Sequence, residues 1–207
     1  GCVIGCGSLT SLLVKKEMPK VFESTKENIL GGIDPTTKPA QSNTPQLREQ
    51  GAQLMQAVAA NDIQTVRLLL QQGVSPNIKE QERGYTPLLI AAQKNNIEMT
   101  ALLLAADANV NEQLIDSNEF NKMSPLLFAC DKGNIKLAYM LLQAGASIYL
   151  ADSRGFTPLH HASAFGQQNV AQLLLQAGTD INVTSFTQTT PLMVAAHEGQ
   201  SAMVRFL

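Results

Sequence analysis

The sequence predicts an all-α repeat solenoid, and three recurring features predict it. The string Thr-Pro-Leu occurs at Thr86-Pro87-Leu88, Thr157-Pro158-Leu159 and Thr190-Pro191-Leu192, with Ser124-Pro125-Leu126 as a close variant, at spacings of 38, 33 and 33 residues. A pair of small residues follows each start: Ala91-Ala92, Ala129-Cys130, Ala162-Ser163 and Ala195-Ala196. A second apolar stretch then contains Leu102-Leu103-Leu104, Met140-Leu141-Leu142 or Leu173-Leu174-Leu175, and a degenerate unit upstream keeps Leu68-Leu69-Leu70. Self-similarity at such a period marks stacked supersecondary units, none of which buries its apolar face alone. Four units and an incomplete fifth are expected.

Each element of a unit has a local cause. Thr or Ser ahead of Pro supplies an N-cap oxygen, and Pro at the first helical position needs no amide partner, so a helix starts there. The paired small residues let a neighbouring helix approach closely. Asn95-Asn96, Gly133-Asn134, Gly166-Gln167 and Gly199-Gln200 make a tight turn into the second, antiparallel helix. Gly73, Gly145 and Gly178 sit where that helix ends in a left-handed residue, and Asp107 replaces glycine in one unit. Val110-Asn111, Ile148-Tyr149 and Ile181-Asn182 read as short extended pieces leading into a hairpin-like finger that reaches the next start.

Composition narrows the class. At 44% hydrophobic and 15% charged residues the chain holds enough apolar material for a core. Its formal charge of −2, without a basic stripe, gives no reason to expect nucleic acid as a partner. Cys2 and Cys6 at one end and Cys130 alone in the repeats form neither a disulfide framework nor a metal-ligand spacing.

The Gly-Phe-Thr-Pro-Leu-His start at Gly155–His160, the small pairs, the leucine triplets and the closing Ile181-Asn182 together resemble ankyrin repeats, over about residues 50–207. The resemblance implies ankyrin repeats of paired antiparallel helices with hairpin-like finger loops. It also implies a protein–protein interaction scaffold that binds a partner protein through a concave groove and finger loops, as a monomer, without catalysis or a cofactor. Leu89, Leu127 and Met193 replace the family's histidine elsewhere, and the interval after Asn111 is five residues longer than standard.

The family's variable contact positions map residue by residue onto the fingers and the first helices. On the fingers they are Glu82, Arg83 and Tyr85, then Phe120, Asn121 and Met123, then Ser153, Arg154 and Phe156, and last Phe186 and Thr187 with Thr189. On the first helices they are Gln93 and Lys94, Asp131 and Lys132, Ala164 and Phe165, and His197 and Glu198. Tyr85, Phe120, Phe156, Phe165 and Phe186 would fall along one side and supply aromatic anchors of the kind that dominate interfaces. Tyr85 and Phe156, just before Thr-Pro, have packing against the next finger as an equal reading. The long finger within 112–123 carries Leu114, Ile115 and Phe120, which are costly to leave in water unless they fold back or meet a partner.

His160-His161 and Cys130 invite a metal or Cys/His reading, but His160 fills a recurring repeat position and Cys130 an alanine slot, so packing is expected and no metal. No phosphate-binding glycine loop, nucleophile elbow or paired-cysteine motif is present. The competing function is a recognition or regulatory segment of a larger enzyme or channel whose active domain follows Leu207.

Residues 1–14 are read as a lipid-anchor or signal remnant, 15–49 as a flexible linker with a short helix, and 50–207 as the repeat domain. Val3-Ile4-Gly5-Cys6 looks like a lipobox with Cys6 as the lipidated residue, and Gly1-Cys2 looks like an acyl-anchor site with Gly5 against it. A truncated spanning helix or an arbitrary start are the other readings. The lipobox would tether the chain to a bacterial cell envelope; otherwise it is cytoplasmic. At the other end Met203, Phe206 and Leu207 are expected to lie exposed, with poor solubility as the consequence.

Overall fold

A computed structural model describes residues 45–81, 83–114 and 122–207. Its helices come in five antiparallel pairs: α1 (Pro45–Ala60) with α2 (Ile63–Gln71), α3 (Pro87–Gln93) with α4 (Ile97–Ala105), α5 (Pro125–Lys132) with α6 (Ile135–Gln143), α7 (Pro158–Ala164) with α8 (Gln168–Gln176), and α9 (Pro191–His197) with α10 (Ser201–Phe206). We number these pairs as units 1 to 5. The described residues hold no strand. The Cys2 and Cys6 anchor readings and the segment before Pro45 lie outside the described residues, as do Glu82, Ile115, Phe120 and Asn121.

Capping begins the helices where the sequence marks it. Thr86, Ser124 and Thr190 each accept a hydrogen bond from the amide three residues on, at 3.3 Å, and Pro occupies the first helical position of α3, α5, α7 and α9. Asn96 and Asn134 cap α4 and α6 in the same way. Asp107, which ends the α4 arm, holds the left-handed conformation at φ 61°, where the equivalent Gly73, Gly145 and Gly178 lie at 84°, 87° and 96°. Val110-Asn111, Ile148-Tyr149 and Ile181-Asn182 are turns rather than extended pieces. Each finger closes instead on one narrow backbone bond, such as Asp152 N to Phe156 O at 3.0 Å.

Packing follows position in the unit. First helices stack on first helices, and second helices on second helices, with the closer approach in the first row. The Ala/Ala, Ala/Cys and Ala/Ser pairs remove bulk there. Leu88, Leu126 and Leu159 on the first helices, and Met99, Leu137 and Val170 on the second, are buried in one continuous core. Met203, one period after Val170, is 0% exposed in the same core, against the expectation. Phe206 and Leu207 are half-buried. The residues left open on unit 5 are Leu192 at 44%, Met193 at 57% and Val204, which occupy the between-unit positions.

Asparagine side chains stitch adjacent units. Asn77 donates to Asp107 O at 3.1 Å and accepts from Asn109 N at 2.7 Å; Asn111 repeats this with Gly145 O at 3.1 Å and Ser147 N at 2.8 Å. Tyr149 stands at the next such position and projects into solvent. A second ladder joins the helix turns, Asn96 to Asn61 and Asn134 to Asn95.

Candidate functional site

The fingers and first helices bound one face, and the predicted contact residues distribute over it unevenly. Arg83, Gln93, Lys94, Lys132, Thr187, His197 and Glu198 are exposed, and Asp131, Ser153 and Ala164 are half-buried. Phe165 is 54% and Phe186 76% exposed, an arrangement that leaves large apolar surface in water. Met123 departs from its expected role. It is 5% exposed, clustered with Leu89, Ala92, Leu114, Leu127 and Phe128, because the base of the long finger folds down onto α3 and α5. Leu114 thereby resolves part of that finger's apolar cost by folding back.

Tyr85 is half-buried against the same cluster, and its hydroxyl accepts from Gln93 Nε2 at 3.2 Å. Phe156 is likewise half-buried. Its ring stacks on His160 with centroids 5.1 Å apart and carries the Arg154 guanidinium 4.4 Å from its centre. Packing therefore accounts for much of both residues.

A pocket of about 340 Å³ opens between the units 3 to 5 portions of this face. It gathers Met123, Asp131, Arg154, Phe156, Ala164, Phe165 and Glu198 from the expected residues, along with Phe128, His161 and Val194. A larger hollow of about 830 Å³ lies between α1 and the first finger, lined by Arg48, Met55, Ile78 and Gln81 among others. None of the expected contacts lines it.

A charge network underlies the smaller pocket. Asp152, with a side chain wholly buried, accepts from the Arg154 and Phe156 amides at 2.8 and 2.9 Å through Oδ1, and from Arg154 Nε and Nη2 at 3.1 and 3.0 Å through Oδ2. Burial alone would raise its pKa, but the His161 imidazole and these donors hold its carboxyl far below the usual range. In the last finger Ser185 Oγ takes over, accepting from Thr187 and Thr189 amides at 3.3 and 3.2 Å.

His161 bridges two carboxylates. Nδ1 lies 2.6 Å from Asp131 Oδ1 and Nε2 lies 3.4 Å from Asp152 Oδ2. Burial opposes its charge, yet the Asp131 hydrogen bond and the Asp152 carboxylate 3.4 Å from Nε2 outweigh burial and raise the imidazole above the ordinary histidine value. His160 differs. Its Nδ1 accepts from Thr157 N at 3.2 Å, and Nε2–H must donate to the Thr189 carbonyl at 2.8 Å, so one tautomer of the neutral ring fits. Burial first, and the nearby His161 charge, depress its pKa accordingly. The Cys130 thiol is fully buried and pushed well up by desolvation, which makes it a core side chain without nucleophilic character.

Among the described residues no group of three His, Cys, Asp or Glu is placed to hold a metal ion, and no helix is long and apolar enough to cross a membrane. His161 and Phe128 were missed as site residues by sequence reasoning. Asp131 and His161 lie 30 residues apart and meet only through stacking of units.

Comparison with known proteins matches this architecture. The family model for ankyrin repeats fits in three copies, over residues 54–152, 112–185 and 150–207, more than half of the chain. The chain is also 32% identical over 98 residues to the glycerophosphocholine phosphodiesterase gde1 of Schizosaccharomyces pombe. That stretch is 47% of this chain and 8% of the yeast protein.

Proposed function

The chain belongs to the ankyrin-repeat family, and we propose that it is a binding scaffold that seats a protein partner across the first helices and fingers of units 3 to 5. Ankyrin repeats generally mediate protein–protein interaction and form a non-catalytic fold. The observation that carries the finer reading is the exposure of Phe165 and Phe186 on a face where Met123 and Phe128 are buried and Tyr85 and Phe156 half-buried. Rigid aromatic side chains standing in water beside a pocket give binding energy at little conformational cost. The mechanism is recognition alone: no proton, electron or group is transferred.

The test is site-specific photo-crosslinking in a cell lysate, with the photoreactive residue at Phe165, at Phe186, or at the exposed Leu68 of outer helix α2. A single protein crosslinked from the two groove positions, and absent from Leu68, is the expected result. Equal labelling at all three, or labelling from Leu68 alone, removes the groove as the binding face.

A second reading has a specific observation in its favour. The matched yeast protein is a phosphodiesterase of which the similar segment is a small part, so these repeats are also compatible with a recognition or regulatory segment within a larger enzyme. Sequencing the complete reading frame decides it: a catalytic domain in the same chain supports this second reading, and further repeats alone support the first.

A further inference from the structure

Resting on the groove reading above, we infer that the pocket between Asp131, Phe165 and Glu198 receives a cationic side chain, lysine or arginine, projecting from the partner's polypeptide.

The charges on the pocket lead there. Two carboxylates, Asp131 and Glu198, and two cations, Arg154 and His161, line the pocket, and the buried Asp152 carboxylate behind it engages both cations. Both cations are already committed. The Arg154 guanidinium spends Nε and Nη2 on Asp152 and lies over the Phe156 ring, and His161 is held between Asp131 and Asp152. That leaves Arg154 Nη1 as the one nitrogen of the two cations outside these contacts. On the acidic side, Asp131 uses Oδ1 for His161, and Glu198 uses Oε1 for the exposed His197 at 3.1 Å; the second oxygen of each carboxylate takes no partner among the described residues. An incoming anion would find one guanidinium nitrogen beside two carboxylates, and an incoming cation two accepting oxygens.

The apolar surroundings specify the rest of the occupant. Phe165 and Phe156 flank the pocket, and only Phe156 carries a cation; the half-open ring of Phe165 offers the same electrostatic face unused. Val194 and Phe128 add apolar lining that suits a hydrocarbon stem. A side chain that lays methylenes on apolar surface and ends in a charge matches this sequence of surfaces. At about 340 Å³ the pocket lies near the lower limit of ligand-sized cavities, which fits one long side chain.

The chain contains no tryptophan, so a tryptophan-bearing peptide can be followed by its own fluorescence while amide shifts of the labelled 207-residue protein report the place. The probes are acetyl-Trp-Leu-Arg-Leu-amide and its citrulline counterpart, which keeps the shape and loses the charge, with the glutamate peptide as the opposite charge. The arginine peptide is expected to shift the Asp131, Phe165 and Glu198 amides and to bind roughly fivefold or more tightly than the citrulline peptide. Glu198→Gln and Phe165→Ala, both at exposed positions, are verified as folded by amide dispersion; Glu198→Gln should weaken the arginine peptide and leave the citrulline peptide nearly unchanged, whereas Phe165→Ala should weaken both and the arginine peptide more. Equal binding of all three peptides in the groove overturns the charge selectivity and keeps the groove. No groove shift with any peptide overturns the inference, and a partner still crosslinked through Phe165 would then leave the scaffold reading standing.

Discussion

His161 on α7 and Asp131 on α5 meet at 2.6 Å across the boundary between two units, an ion pair that neither helix makes within itself. Its imidazole is 5% exposed and Asp131 is half-buried, so the pair is shielded from solvent more than a surface salt bridge. Asp131→Asn keeps the shape and removes the charge. At pH 6 it is expected to cost about 1–3 kcal/mol, read as a fall in the urea midpoint with an unchanged m-value. An unaltered midpoint would mean that the pair contributes nothing.

The two adjacent histidines should give stability opposite pH slopes. His161 has a raised folded value, so its contribution is complete below the unfolded value of about 6.5 and disappears as pH rises through the higher folded value. His160 has a depressed folded value, so its contribution is present above about 6.5 and disappears as pH falls toward the lower folded value. Urea midpoints between pH 5 and 9 are expected to lose their alkaline decline in His161→Gln. The acid decline should flatten in His160→Leu, a residue already accommodated at Leu89 and Leu127. Identical profiles for both variants would sink this assignment.

Much of this was legible in the amino-acid sequence because a repeat writes its within-unit contacts once per period. Thr-Pro starts and the left-handed glycines each depend on neighbours a few residues away, so their spacing displays them directly. The contacts between units are less visible. Met123 reads as a finger-tip residue until the finger's base is seen to fold onto Leu89 and Leu127. Met203 reads as an unprotected end residue, although it sits one period after Val170 and shares the buried core. The Asp131–His161–Asp152 bridge joins three positions that no repeat consensus pairs, and stacking alone reveals it.

The asparagine stitching is interrupted at Tyr149, and restoring it should stabilise the array. Asn77 and Asn111 each make two bonds to the following unit's turn. By the same register, Tyr149→Asn would offer them to Gly178 O and Asp180 N, neither of which has a cross-unit side-chain partner among the described residues. At a net of about 1 kcal/mol per bond, less the entropy of ordering, Tm is expected to rise by roughly 2–4 °C. A lower Tm would show that the Tyr149 ring packs more usefully than its exposure suggests.

In the 207-residue chain Leu192 and Met193 put an apolar step on the outer face of unit 5, and copies of that chain should associate through it. Light scattering of the 207-residue protein is expected to show mass rising with concentration. Leu192→Gln with Met193→Lys should return the mass to that of one chain, with thermal unfolding little changed because neither side chain is buried. Association that persists in the double variant would move the sticky surface elsewhere, Phe186 being the next exposed ring.

Gly155 ties the fold to the binding face. It holds φ +81°, and a Cβ there would stand 2.7 Å from Phe186 N and 2.8 Å from its ring, while Phe186 N donates to Arg154 O at 3.3 Å. Gly145 holds φ +87° with nothing within 4 Å of such a Cβ. Alanine at either position incurs the left-handed penalty of about 1–2 kcal/mol, so their difference isolates the contact between the last two fingers. Gly155→Ala is expected to lose more stability than Gly145→Ala, because the methyl meets backbone that cannot rotate away, and to displace the Phe186 amide and ring resonances, which Gly145→Ala should leave in place. Equal losses with an unmoved Phe186 would mean that the fingers stand independently, and the aromatic at the tip of the last one would then be positioned by its own Ser185 turn alone.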